Sequence, residues 1–297
     1  MEWKSELIAL YCTVCQCYRS RLANEVQRLS NNCRPQFTDE EVITIYLWGT
    51  LNRQTELRRI YDLVKNYLPE WFPKLPSYQA FSRRVNDLSR AFQLLAEMWM
   101  EELFPDMPTS NSFVIDSMPI ILAKDSRSDR AKVATEVCSK TYNAVRGQWY
   151  YGMKLHALGM LVSHKMPIPV SISFSPASAS DLSTAREMFA QTSAFPSGYL
   201  FADKVYIDST WKEHLANEYG LRLLTPRKKL PNITDAIRSR DTYSSYVSSR
   251  RQSIESFFHW LNTVTGIQNA SKVRSLKGLL SHLFGKLAAA LFSLFHS

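Results

Sequence analysis

Hydrophobic positions along the 297-residue chain recur with two different periods, and the change between them divides the sequence. The first part has the period of a helix. Trp3, Leu7, Leu10, Tyr11, Val14 and Tyr18 share one face, which predicts an amphipathic helix from residue 1 to about 30. Thr38-Asp39-Glu40-Glu41 is a capping box, a Thr cap with Glu three residues on, and predicts a helix through about Leu51. Leu57, Ile60, Tyr61 and Val64 predict another. Pro69, Pro73 and Pro76 break the chain, and Ser77 can cap a further helix that carries Tyr78, Phe81, Val85 and Leu88.

The second part mixes strand and helix periods. Phe113-Val114-Ile115 is an apolar run that stops at Asp116, which predicts a short strand buried on both faces. Trp149, Tyr151, Met153, Leu155 and Ala157 alternate with Lys154 and His156, so this segment is a strand with two distinct faces. Pro167 to Phe174 predicts another strand, its prolines confining the start to an edge or bend. Ser180-Asp181 caps a helix to about Ala190, and Tyr199 to Ala202 is a second apolar run leading into an acid, Asp203. Asp208 can cap a helix over Ser209 to Tyr219, Gly220 closes it, and Leu221 to Leu224 forms a short strand. Ile254, Phe257, Phe258, Leu261 and Val264 form the buried stripe of a last helix in this series.

Three strands followed by alternating helices and strands predict an α/β fold, a mixed sheet with helices on both faces, preceded by a small all-α N-terminal domain. Pro105 to Ser112 is the expected boundary, giving domains 1–108 and 109–297. Leu279 to Phe295 is strongly apolar but interrupted by His282, Gly285 and Lys286, so it reads as a core helix and not a membrane span.

Charge adds a partner class. Lys and Arg number 36 against 27 Asp and Glu, a formal net charge of +9, which favours a polyanion. The densest basic segment, Pro226 to Arg251, holds Arg227, Lys228, Lys229, Arg238, Arg240, Arg250 and Arg251 against Asp235 and Asp241. A second basic stretch, Lys124 to Gln148, is read as a loop that could guide a phosphate backbone. Arg83, Arg84 and Arg90 lie off the apolar face of their helix, which suits either a helix-turn-helix-like DNA reader or a plain helical bundle with solvated arginines. Five cysteines, an odd number with no evident signal peptide, point to reduced thiols in a cytoplasmic protein. Cys12-x-x-Cys15 has no second pair at zinc-finger spacing, and the cysteines read as core residues.

The candidate chemistry lies in three acids. Asp116 and Asp203 each end an apolar run, and Glu255 flanks a helix stripe with Arg251 and His259 four residues to either side. Where such a helix packs on the sheet, three carboxylates can hold two Mg²⁺ or Mn²⁺ ions for in-line phosphoryl chemistry.

These segments resemble the DDE transposases of bacterial insertion sequences, and more narrowly the family named after insertion sequence nine-eight-two. The resemblance rests on Thr38-Asp39-Glu40-Glu41-Val42, Phe72-Pro73-x-Leu75-Pro76-Ser77, Arg83-Arg84, Val114-Ile115-Asp116-Ser117 and Tyr151-Gly152-x-Lys154-x-His156. It continues through Ala202-Asp203-Lys204-x-Tyr206, Pro226-x-Lys228-Lys229 and Arg251-x-x-Ile254-Glu255-x-x-Phe258. It implies a ribonuclease-H-like core, a metal-binding and catalytic triad of Asp116, Asp203 and Glu255, and two Mg²⁺ or Mn²⁺ ions. The implied activity is cleavage at transposon ends and strand transfer by attack of a 3′-OH on target DNA. Arg251 fits the basic residue four before the glutamate in related transposases. The tyrosine and lysine that often accompany it are absent, with Ser248 and Asn262 at those offsets. Implied DNA contacts are Arg83, Arg84, Lys154, His156, Lys204, Arg227, Lys228, Lys229, Arg250 and Arg251. The implied partners are terminal inverted repeats and target DNA, with a homodimer assembled on DNA near the nucleoid and no membrane. A metal-dependent nuclease of the same fold and a non-catalytic DNA-binding regulator are the alternatives.

Overall fold

The alternation that begins at Phe113 does not stop at Asp116. In the computed structural model, which describes residues 3–26, 35–103, 110–144, 146–162, 166–191, 196–227 and 241–295, strand β1 runs Ser112–Lys124. Asp116 therefore lies inside a long strand, not at its end. Pro119 is tolerated there because β1 needs ladder partners on one side only: it pairs along its length with β3, and with β5 only through Ser112, Phe113 and Val114.

The sheet-bearing unit comprises Asp106–Ala131 and Thr135–Trp260. Its strands are β1, β2 (Ser139–Asn143), β3 (Gln148–Met160), β4 (Ile168–Pro176), β5 (Gly198–Phe201) and β6 (Leu221–Leu224). Their order is β2-β3-β1-β5-β6, with β4 also on β3. Strands β1, β3 and β4 pair antiparallel, whereas β1, β5 and β6 pair parallel. The sheet is thus mixed. β2 occupies part of the basic stretch read as a loop; its exposed Lys140 and Tyr142 pattern carries too little apolar signal to mark a strand.

Helices α6 (Asp181–Gln191) and α7 (Ser209–Tyr219) cover one face. Phe113, Ile115, Leu158 and Met160 from the sheet form a core there with Met188, Phe189, Trp211 and Leu215. As expected, Asp208 caps α7 by accepting from Trp211 N–H at 2.8 Å, and Gly220 ends it at φ 63°. Helix α8 (Thr242–Thr265) lies over the other face. Tyr246 packs on Phe201 of β5 with ring centroids 6.0 Å apart. Gly159 of β3 is needed for this approach: a Cβ there would sit 2.9 Å from Pro167 and 3.5 Å from Ile254 Cδ1.

The other unit groups Met1–Pro105 with Lys132–Ala134 and Leu261–Ser297. The expected domain 109–297 includes 261–297, which group here with the N-terminal helices. Its helices are α1 (Trp3–Cys17), α2 (Asp39–Leu51), α3 (Leu57–Tyr67), α4 (Tyr78–Asp87), α5 (Ser89–Leu103) and α9 (Leu276–Phe295). Helix α1 passes at Tyr18–Leu22 into a wider π-helical turn, so the first helix is shorter than its apolar stripe suggests. The capping box of α2 forms as predicted: Glu41 N–H donates to Thr38 Oγ1 at 3.3 Å, and Thr38 N–H donates to Glu41 Oε2 at 2.7 Å. Helix α9 is the apolar C-terminal stretch. It buries Leu279, Leu283, Leu287 and Leu291, and Gly285 lets it close on Tyr46 of α2. No helix among the described residues is long and apolar enough to cross a membrane. Cys17 and Cys138 are buried as core residues, while Cys12 is exposed; Cys33 lies outside the described residues.

Candidate active site

Register brings two of the acids together. Val114 of β1 lies beside Phe201 of the parallel strand β5. Asp116 lies two residues beyond Val114 in β1, and Asp203 lies two residues beyond Phe201, just past the end of β5, near enough for its charge to act on Asp116. Ala202, just past β5, donates its N–H to Leu224 O of β6 at 3.1 Å, which ties the chain before Asp203 to the sheet. Side chains alternate, so Val114 and Asp116 share the face under α8 while Phe113 and Ile115 enter the opposite core. Asp203 has the same parity as Phe201, which meets Tyr246 of α8.

Helix α8 supplies the remaining groups. Arg251 Nη1 donates to Asp116 Oδ2 at 2.7 Å, and its Nη2 donates to Glu255 Oε1 at 3.0 Å. One guanidinium therefore spans a strand carboxylate and a helix carboxylate. The other Asp116 oxygen, Oδ1, accepts from Ser117 N–H at 2.8 Å. Burial pushes the Asp116 carboxyl up to about 6; the Ser117 N–H and Arg251 pull the other way, and the Asp203 charge adds to the rise. Tyr206, three residues beyond Asp203, is fully buried and its hydroxyl has no hydrogen-bond partner among the described residues. Its phenol is held well above its ordinary range, first by burial and then by Asp116, Asp181 and Asp203. The sequence offered one signal for it, its place three residues after Asp203 in an acid-led motif.

The donor set suits a hard divalent cation. Asp116 in β1 and Asp203 just past the end of β5 are carboxylates near enough for one charge to act on the other, in surroundings that call for a counter-charge. Glu255 is joined to them only through Arg251, and among the described residues no three Asp, Glu, His or Cys side chains are close enough to hold one ion. Asp116, Asp203 and Glu255 are oxygen donors of the kind such a cation takes, with Arg251 bonded to Asp116 and Glu255 here.

The other expected site residues separate. Lys204 is half-buried in the turn directly after Asp203. Arg250 is exposed on α8, its guanidinium 5.5 Å from the Tyr246 ring. Arg227 is exposed beside Asp241 and Tyr243. Lys228 and Lys229 lie outside the described residues. Arg83 is exposed on α4, whereas Arg84 is tied to Asp39 and to Val26 O and acts as a strut between helices.

Lys154 and His156 are not at the acid cluster. Asp116 pairs with Ala157 and Ser117 with His156, so His156 and Lys154 point to the face opposite Asp116. Lys154 donates to Asp181 at 2.8 Å and Ala179 O at 2.9 Å, which anchors the start of α6. His156 is fully buried, sits 2.8 Å from Ser175 Oγ, and burial lowers it to about 4, so it is neutral and out of reach of a phosphate. Asp181, read as a helix cap, is the acid that holds Lys154.

The family profile described as Transposase DDE domain matches residues 108–287. No curated protein matches the chain. Among solved structures, the chain is similar to one described as the cryo-EM structure of a piggyBac transposase synaptic complex with hairpin DNA. That likeness has a TM-score of 0.50 at 8% identity and covers 96% of this chain and 70% of the other, and it speaks to the fold.

Proposed function

The chain belongs to the transposase DDE domain family, and from that premise we propose that it is a DNA transposase that cuts at transposon ends and joins the freed 3′-OH to target DNA. The observation that supports the reading is that Arg251 of α8 bonds both Asp116 of β1 and Glu255, while Asp203 follows the end of the neighbouring parallel strand β5. The strand order, antiparallel β4-β3-β1 followed by parallel β5 and β6, supports a ribonuclease-H-like core. The sequence likeness to the family named after insertion sequence nine-eight-two supports a bacterial insertion sequence as the source. The neighbour's capture with hairpin DNA and the net charge of +9 support DNA as the partner.

In this reading Asp116 and Asp203 hold the divalent ions, Mg²⁺ or Mn²⁺, and Glu255 completes the set. When bound, such ions lower the pKa of water and stabilise the attacking and leaving oxygens of an in-line displacement. The chain's own part is placement. The sheet fixes the two aspartates, α8 screens them from one side, and Lys204, Arg250 and Arg227 hold backbone phosphates next to them. Water cleaves the phosphodiester to leave a 3′-OH and a 5′-phosphate. That 3′-OH then displaces a target 3′ oxygen, so the number of phosphodiester bonds is conserved in the second step. The helical unit, with Arg83 exposed on α4, is assigned to reading the terminal repeats, and two copies would act together on paired ends.

The test is cleavage and joining of DNA carrying the flanking inverted repeats, with Mg²⁺ or Mn²⁺. Asp116→Asn, Asp203→Asn and Glu255→Gln should each lower cleavage by roughly a hundredfold or more while DNA binding persists. Cleavage without joining to a second DNA would make the protein a nuclease instead. Full activity in Asp116→Asn would remove the assignment of the site.

A further inference from the structure

Arg251 occupies the position where a metal-binding site of carboxylates needs its cation. Its two nitrogens bond Asp116 at 2.7 Å and Glu255 at 3.0 Å, and it is itself only about one-fifth exposed. The guanidinium thus neutralises two members of the candidate triad, and among the described residues no three acids lie close enough to hold one ion. Asp116 is mostly buried, so it cannot exchange this partner for water without cost. Glu255, by contrast, is more than half exposed and swings freely once released.

The same side chain is a good ligand for something else. A guanidinium offers a planar fork that pairs with a phosphate as well as with a carboxylate. Arg251 follows exposed Arg250 on α8 and keeps about one-fifth of its side chain exposed, so a DNA backbone brought to this helix would come near an accessible part of its guanidinium.

We propose that Arg251 is an exchangeable internal cation: a DNA phosphate draws it away from Asp116 and Glu255, and only then do the carboxylates gather on a divalent ion. The inference rests on the reading of Asp116, Asp203 and Glu255 as a metal site and adds its order of loading. DNA and metal then bind with positive coupling, and by linkage each strengthens the other equally. Arg251 is in this sense a positioning residue, whose movement sets where Glu255 can reach.

The measurement is Mn²⁺ affinity of the full chain, by electron paramagnetic resonance of free Mn²⁺ and by calorimetry, with and without a short blunt DNA duplex. Neither readout depends on cleavage. For the wild type, duplex should tighten Mn²⁺ binding roughly tenfold. Arg251→Gln should bind Mn²⁺ roughly tenfold tighter than wild type without DNA, and adding duplex should then change little. Arg251→Lys keeps a cation in place and should stay near wild type, which separates loss of charge from loss of fold. Arg251→Gln with wild-type or weaker Mn²⁺ affinity, while Asp116→Asn loses Mn²⁺ binding, overturns the exchange and leaves the metal site standing. Asp116→Asn with wild-type Mn²⁺ affinity overturns both.

Discussion

A buried amine with no carboxylate beside it gives the helical unit a pH dependence of its own. Lys286 Nζ donates to Thr55 O at 3.0 Å and Gly266 O at 3.3 Å, and among the described residues no acid forms an ion pair with it. Burial lowers it to about 7, with only the Glu56 charge opposing. An unfolded lysine keeps its proton to about pH 10.4. Between these values the unfolded chain binds more protons, so stability rises with pH across that window. From pH 7 to 9.5 the gain is on the order of 3 kcal/mol at most. Urea midpoints of wild type and Lys286→Met at the two pH values check it: the wild type should gain several tenths of a molar more than the variant. Equal gains would mean that the amine stays charged. His282 nearby is also lowered by burial, but its titration lies below this window. The residue scale is also where sequence reading was least complete. Asp116 and Asp203 were visible because an acid after an apolar run is costly to bury. Lys154 and His156 looked like a solvent-facing strand row, but β3 is covered on both faces, and alternation alone cannot say which row meets water.

At the scale of elements, close approach decides more than propensity. Helix α9 reaches α2 through Gly285, where an added Cβ would lie 2.5 Å from Tyr46 Cε1. Alanine gains up to about 1 kcal/mol over glycine in a helix interior. Overpacking a buried ring costs about 1–3 kcal/mol, and Tyr46 is confined further by Phe92, with ring centroids 4.8 Å apart. The clash wins, so Gly285→Ala should lower the thermal midpoint, contrary to the helix scale; a rise would show that Tyr46 yields. Helix boundaries with a mechanism were legible. The Thr38 box, Ser77, Asp208 and Gly220 all stand where their chemistry placed them. Helix α5 and strand β2 were not, since neither has a distinctive cap or a sustained apolar row. The length of β1 was hidden by Ser117 and Pro119, which look like a turn unless one knows that the strand has a neighbour on one side only there.

For the whole molecule, the charge balance predicts how it meets DNA. A net charge of +9, with Arg83, Lys204, Arg227 and Arg250 at least partly exposed, implies release of counterions on binding. Affinity for duplex should fall by roughly a thousandfold between 50 and 200 mM salt if about six phosphates are neutralised. Fluorescence anisotropy across a salt series measures the slope, and a flat response would rule out a backbone-led interface. The split of the chain was the hardest feature to foresee. The proline-bearing stretch Pro105 to Ser112 predicts a boundary, but nothing local in Leu276 to Phe295 says that this helix packs beside α2 and α5. Parity along β1 has a genetic corollary. An in-frame loss of a single codon between Phe113 and Asp116 would turn the acid onto the opposite face, into the Met188 and Trp211 core, where an unpaired carboxylate is costly. Degenerate copies of such a gene should therefore tolerate swapped letters in this stretch far better than a changed count of them.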